Sequence, residues 1–340
     1  MGSSATLPTV VRSGATPDIK ITLDKNVTVG SLVIGAKNNY TITGNTLKLD
    51  NTGSSNASIN ITGTGSPLIQ SAIALNDNTY FTQNGTGTFT VSGKITTNGK
   101  SLITNGSGNT VLSGAITGNG GYTQAGTGKT TLSGTASNTF SNVTISNGTL
   151  ALAKTSGINA IGGTGTTINV NSEGTLLLAG NNQIANTVNM ILHEGTFSTG
   201  TTVGYSDTLG TLTLTGCSTI DLGTGSHDLI FANSSSVCWD GTLTIEGWVG
   251  VAGVKSKGGT AGSIFFGSNS SGLTSTQLSN IDFTGFGSGA MMLSTGEIVP
   301  LAAVPEAKVV FGVFLLVAVV GWRERDRFRN WISSLQVTAG

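Results

Sequence analysis

One stretch of this chain is copied further along it. Thr82-Gln83-Asn84-Gly85-Thr86-Gly87 returns as Thr123-Gln124-Ala125-Gly126-Thr127-Gly128, and eight of twelve positions agree between residues 82–93 and 123–134. Ser-Gly pairs at 92–93, 113–114 and 133–134 divide that offset into two nearly equal halves. Gly-Thr-Leu or Gly-Thr-Phe then recurs from Gly148, Gly174, Gly195, Gly210 and Gly241 with drifting spacing. The structural unit is therefore about 20–25 residues long. A unit that short cannot bury a core by itself, so each must cover the next, as in a solenoid.

The local pattern selects the kind of solenoid. Thr88-Phe89-Thr90-Val91, Thr166-Thr167-Ile168-Asn169-Val170, Thr211-Leu212-Thr213-Leu214 and Asp228-Leu229-Ile230-Phe231 alternate apolar with polar residues and are rich in β-branched side chains. Period-two alternation broken by Gly and Asn is the signature of short strands and tight turns. No helix is expected before residue 300. The expected fold is all-β: a single-stranded, right-handed parallel β-helix of the pectin-lyase-like kind over residues 18–290, followed by a C-terminal hydrophobic helix. Leu, Val and Ile should point inward, with Thr, Ser and Asn outward or in internal ladders. A dozen rungs at about 4.8 Å each would stand about 55–60 Å tall. The competing architecture is a β-sandwich, which rarely repeats at such a short period.

Charge narrows the function classes. Charged residues make up 9% of the chain and glycine accounts for 51 of 340 residues. Residues 1–303 hold 11 Lys/Arg and 13 Asp/Glu, a balance of 11 − 13 = −2. Nucleic-acid binding, which needs clustered basic residues, is excluded. Hydrophobic residues at 37% with so little charge also set the chain apart from disordered sequences.

The last forty residues have a different character. Val304-Pro305-Glu306 precedes an apolar run from Val309 to Trp322, and Arg323, Arg325, Arg327 and Arg329 follow. Fourteen helical residues span about 21 Å, short of a hydrocarbon core of about 30 Å, but Lys308 can snorkel and Trp322 can sit at the interface. The arginines should stay cytoplasmic, which puts the body outside. The order of motif, apolar helix and basic stop resembles a PEP-CTERM sorting signal. That resemblance implies processing by an exosortase-type membrane protease in a Gram-negative-type cell. Ala307 stands where the family motif, Pro-Glu-Pro, has its second proline. The residues after Met1 show no basic segment followed by an apolar one, so no secretory signal peptide is visible. The expectation is that the chain as given is a fragment or starts too far downstream; the alternative is that the tail itself acts as an anchor.

The Gly-Thr-Leu repeats, with Gly126–Gly134 and Asn138-Thr-Phe-Ser141, resemble autotransporter-associated β-strand repeats, most clearly over residues 80–215. The resemblance implies a β-helical, passenger-like surface protein. Leu229–Asn233, Trp239–Ile245, Ile264–Gly267 and Ser294–Pro300 look like the region before the sorting tail in such proteins. Aromatic residues gather there, among them Trp239, Trp248, Phe265, Phe266, Phe283 and Phe286, as expected of a cap that closes an open coil. The expected division is a repeat region at 1–228, a β cap at 229–300 and a sorting tail at 301–340.

Candidate chemistry is sparse. Gly126-Thr127-Gly128-Lys129-Thr130 resembles the end of a phosphate loop, but Thr123 replaces the first glycine and no βαβ context surrounds it. His193-Glu194 and His227-Asp228 are the only histidines, each beside an acid; neighbours on a strand face opposite ways, so both read as solvated corner residues. No metal site, cofactor site or catalytic group is expected. Within 82–215 no acid recurs at rung spacing, as a polysaccharide lyase or glycosidase would need. Cys217 and Cys238 are separated by the same interval as the first two Ser-Gly pairs. If that is one rung they stack, either as a disulfide or as two buried free thiols. The expectation is thus an exported, non-catalytic surface or matrix protein, structural or adhesive. Its partners would be the membrane, an exosortase-type protease and extracellular polysaccharide, and the alternative is a carbohydrate-active β-helix enzyme.

Overall fold

The computed structural model describes residues 4–7 (backbone only) and 18–301, apart from 36, 54 and 257–260. Val304, Pro305, Glu306, the expected helix at 309–322 and Arg323, Arg325, Arg327 and Arg329 lie outside the described residues. No helix among the described residues is long and apolar enough to cross a membrane.

The chain winds into a parallel β-solenoid of about ten turns. Three short strands per turn build three faces. On the first face, ten strands stack from Ser4–Leu7 through Ala57–Ile61, Thr79–Gln83 and Leu102–Asn105 to Leu212–Leu214. Twelve stack on the second, from Ile19–Leu23 to Ile281–Phe283. Eleven steps of about 4.8 Å give a height of about 53 Å. The third face carries Val27–Val29, Leu47–Leu49, Ile73–Leu75, Ile95–Thr96 and Ile116–Thr117, and later Asp207–Leu209, His227–Phe231 and Gly262–Phe266. Every pairing within these stacks is parallel, which rules out the sandwich.

Alternation places the core. In Thr88–Val91, Phe89 and Val91 are fully buried while Thr88 and Thr90 face out. Phe81 and Phe89, from two faces of one turn, meet edge to face at 5.6 Å. Leu150, Leu176, Phe197, Ile220 and Ile245 continue the interior column.

The repeated glycines are there because coils touch at the corners. A Cβ on Gly128 would lie 2.2 Å from the Gly108 carbonyl oxygen, and one on Gly87 would lie 2.1 Å from that of Gly65. At the next corner, Gly93, Gly114 and Gly134 of the Ser-Gly pairs crowd the coil below at 2.0–2.2 Å. Buried amides fasten the same corners: Gln83 Nε2 donates to the Gly87 carbonyl (2.6 Å), and Gln124 Nε2 to those of Gly126 (2.8 Å) and Gly128 (3.1 Å).

Turn length stays within the expected 20–25 residues from Ala57 to Leu212 but is not constant. Stacked first-face partners run from Ala57 through Thr79, Leu102, Tyr122, Val143, Ile168 and Met190 to Leu212, so the shortest step is 122 − 102 = 20 and the longest 168 − 143 = 25. Where the third face loses its ladder, buried side chains stand in: Asn138 Oδ1 accepts from the Ile116 N–H (2.9 Å) and Asn138 Nδ2 donates to the Ala160 carbonyl (2.9 Å).

The stack runs through residue 228 without a break. His227–Phe231 straddles the expected boundary and pairs on both sides, and the described residues fall in one compact unit that ends at Leu301. Two antiparallel pairs mark the end: Gly250–Val251 with Lys255–Ser256, and Ala290–Met292 with Ile298–Pro300. Trp248 packs edge-on against Phe283 and Phe286, and Phe231 stacks on Phe266 at 5.2 Å. One helical turn, Ser275–Ser279, forms where none was expected; Thr274 and Gln277 form its capping box.

Candidate interaction surface

The outward residues of the second face align into a hydroxyl column. Thr149, Thr175, Thr196, Thr219 and Thr244 are partners in five consecutive turns, with Lys129 before them and Asp282 after. All five are half-buried. Three are the threonines of the Gly-Thr-Leu/Phe repeat, whose glycine turns the corner and whose apolar residue enters the core. Two positions on, Ala151, Leu177, Ser198, Asp221 and Glu246 form a parallel column. Asp221 and Glu246 thus sit on adjacent turns, and Ser198 Oγ donates to Asp221 Oδ2 (3.0 Å). A search at the period of the Ser-Gly pairs misses this acid pair because its turn is longer, 246 − 221 = 25; aligning Thr219 with Thr244 exposes it.

A second feature is a shallow groove of about 510 Å³ across three turns, lined by Gly118, Asn119, Thr139, Phe140, Ser141, Gly163 and Thr164. Hydroxyl and amide groups line it, and no carboxylate does.

The segment that resembles the end of a phosphate loop, Gly126–Thr130, is structural. Lys129 and Thr130 begin the strand Lys129–Gly134, and the Gly128 N–H donates to the Gly106 carbonyl (3.0 Å). An amide already bonded to the coil below has nothing left for a phosphate.

The two histidines part ways. His193 is exposed at a corner, with Nδ1 3.0 Å from Thr215 Oγ1. His227 is buried, which corrects the solvated reading. Its Nδ1 faces the Gly225 carbonyl (2.9 Å) and so carries the proton; Nε2 accepts from Thr199 Oγ1 (2.9 Å). Gly204 and Gly262, from the turns below and above, leave room for the ring: a Cβ on either would come within 2.4 Å of it. A hydroxyl, an imidazole and an orienting carbonyl resemble a nucleophile and its base. Thr199 is fully buried, however, and its hydroxyl also accepts the Gly223 N–H (2.9 Å), so no substrate reaches it.

Two further ionisable groups are buried. Asp207 Oδ2 accepts from the Gln183 and Ile184 N–H groups (2.7 and 3.1 Å), and Oδ1 from that of Thr208 (2.9 Å). Burial pushes its carboxyl up to about 7 against the pull of those donors. Gln183 Oε1 accepts from the Lys154 backbone N–H (2.7 Å), and Lys154 Nζ donates to the Ser133 carbonyl (2.8 Å). Burial lowers that ammonium to about 8. The three side chains fasten one corner over successive turns and do not converge on a common point.

Cys217 and Cys238 are free and exposed. Neither the bridge nor the buried stack forms, because the local turn is longer than their separation. Ser218 pairs with Leu243 and Leu214 bridges Trp239, which sets Cys217 level with Thr242 and Cys238 level with Thr213. Among the described residues, no three His, Cys, Asp or Glu side chains group so as to hold a metal ion. No protein-family model matches the chain, and no curated protein and no solved structure matches it either.

Proposed function

We propose that this chain is an exported, non-catalytic β-solenoid of a cell surface or extracellular matrix, structural or adhesive in role. The observation that carries the reading is the outward column Thr149–Thr175–Thr196–Thr219–Thr244. It offers hydroxyls at intervals of about 4.8 Å along the stack, suited to a linear, hydroxyl-rich partner such as extracellular polysaccharide. The buried histidine, lysine and aspartate serve turn-to-turn hydrogen bonding, which fits a scaffold. The winding is right-handed on this reading, as nearly all parallel crossovers are. The Gly-Thr-Leu repeats resemble those of autotransporter-associated β-strand repeat proteins, a resemblance that supports a surface role. The tail, through Val304-Pro305-Glu306, the apolar run and the four arginines, would direct it to a membrane and an exosortase-type protease.

Two measurements test this. The mass of the mature protein at the cell surface should lack residues 309–340; a mass that keeps them makes the tail a permanent anchor. Replacing Thr149, Thr175 and Thr196 together by Val should weaken retention on the producing cell's polysaccharide while the circular dichroism stays that of the parent. Unchanged retention would remove the column as the contact surface.

The second reading, a carbohydrate-active enzyme, draws on Asp221 and Glu246 in register on neighbouring turns, with Asp282 beside them. Release of reducing ends from polysaccharide, abolished by Asp221→Asn and by Glu246→Gln, would establish it in place of the first.

A further inference from the structure

The outer surface of the solenoid is nearly free of large apolar side chains, with one exception. Six are exposed among the described residues, and five of them, Val249, Val251, Val254, Phe286 and Leu301, belong to the C-terminal cap; Val203 is the sixth. Three come from a single antiparallel hairpin, where Val249, Val251 and Val254 are 51, 67 and 56% exposed. The cavity beside them, about 410 Å³, is lined by Val249, Gly250, Val251, Val254, Lys255 and Ser256.

The hairpin is held firmly for so apolar a projection. The Gly253 N–H donates to the Pro300 carbonyl (2.9 Å), and the Ser256 N–H to Glu297 Oε1 (2.9 Å), so the tip and the second arm are tied to the segment 297–300. Gly250, in the first arm, lies on the Trp248 indole, which meets Phe286 at 5.2 Å. A concentration of exposed apolar side chains held in place marks an interaction site.

We propose that this face of the cap rests in the interfacial layer of a lipid bilayer, with the three valines entering the headgroup boundary and Lys255 reaching back to the phosphates. Three observations select lipid as the occupant. The hairpin that carries the valines is bonded through the Gly253 N–H to the Pro300 carbonyl, close in sequence to the apolar run Val309–Trp322. Lys255 sits in the same hairpin, and its stem suits an apolar layer with its head at a phosphate. Residues 1–303 balance at 11 − 13 = −2, so such a contact would rest on apolar burial and not on attraction to anionic lipid. The inference rests on the reading that the tail enters a membrane and adds that the folded cap touches it too.

The test uses the full chain in phosphatidylcholine vesicles. Cys217 and Cys238 are first changed to Ser, since both thiols are exposed, and a fluorescent NBD label is placed at Val251→Cys or, as a control, at Thr22→Cys on the first turn. Flotation reports the tail; emission and quenching by spin-labelled lipid report the cap. The expected result is a chain that floats, with the label at 251 blue-shifted and quenched and the label at 22 as in water. A chain that floats while both labels stay aqueous overturns the cap contact and leaves the tail reading standing. A chain that does not float overturns both. A label at 251 that is shielded but untouched by spin-labelled lipid, in a protein of doubled mass, assigns the valines to a second copy and also overturns the proposal.

Discussion

Replacing Gly128 by Ala tests the corner packing directly. Its φ is not positive, so alanine meets no backbone penalty there; the obstacle is the coil below. The new Cβ would stand 2.2 Å from the Gly108 carbonyl oxygen, 2.8 Å from the Ser107 carbonyl carbon and 3.0 Å from that of Gly108. All three atoms are backbone, so no side chain can swing away. Reaching an ordinary contact of about 3.5 Å means opening the corner by more than an ångström. That strains the Gly128 N–H bond to Gly106 (3.0 Å) and the Gln124 bonds to Gly126 and Gly128. Overpacking of this kind costs about 1–3 kcal/mol, and a weakened buried hydrogen bond about 1 kcal/mol more. A loss of about 3 kcal/mol should lower Tm by about 6–12 °C. Gly287→Ala is the control, since nothing lies within 4 Å of its Cβ position. Thermal unfolding followed by circular dichroism near the strand minimum gives the comparison. Hydrogen exchange should place the damage in 102–112 and 122–132, because a solenoid transmits strain only to neighbouring turns. A Gly128→Ala protein that melts within about 2 °C of the Gly287→Ala protein refutes the close-packed corner.

Asp207 should give the stability a pH dependence. Its folded pKa of about 7 lies above the ordinary 3.8, so the folded state binds the extra proton. Its contribution is fully present below about 4 and is lost as pH rises through 7, by at most about 4 kcal/mol; urea titrations at pH 4.5, 6 and 8 should show the fall, and Asp207→Asn should flatten it. Lys154 runs the other way: its ammonium is depressed from 10.5 to about 8, so stability should rise between those values, and Lys154→Met should remove the rise. Cys217 and Cys238 should both react with a thiol reagent in the folded protein, and a cross-linked 217–238 peptide from unreduced protein would show the register to be wrong. Phe89→Ala should cost about 3–5 kcal/mol in denaturant unfolding, as expected for a fully buried ring.

The strands are readable because alternation and burial have the same period. Thr88–Val91 has the expected ends, and Thr211–Leu214 and Asp228–Phe231 match theirs to within one residue. What the sequence hides is non-local. Cys217 and Cys238 look like stacked partners at the Ser-Gly spacing, but the extra length in their turn shifts one to another face. His227 looks solvated beside Asp228; its burial depends on Gly204 and Gly262, which meet it only after winding. Thr274 and Gln277 announce the turn at Ser275–Ser279, yet so short a segment gives a helical period no room to register. The acid pair Asp221–Glu246 needs the threonine register before it can be seen as a pair.

The antiparallel closure at Ile298–Pro300 also decides how the solenoid bears load. Bonds between turns run along the stack, so a pull along that axis at Leu301 strains one rung at a time and does not shear many together. The first resistance is the pairing of Ala290–Met292 with Ile298–Pro300, backed by Trp248 against Phe283 and Phe286. Once that latch opens, the chain should unwind turn by turn. Each release of about 22 residues would lengthen it by about 75 Å, so that a stretched molecule yields in a train of small, even steps and relieves the force on whatever holds its other end.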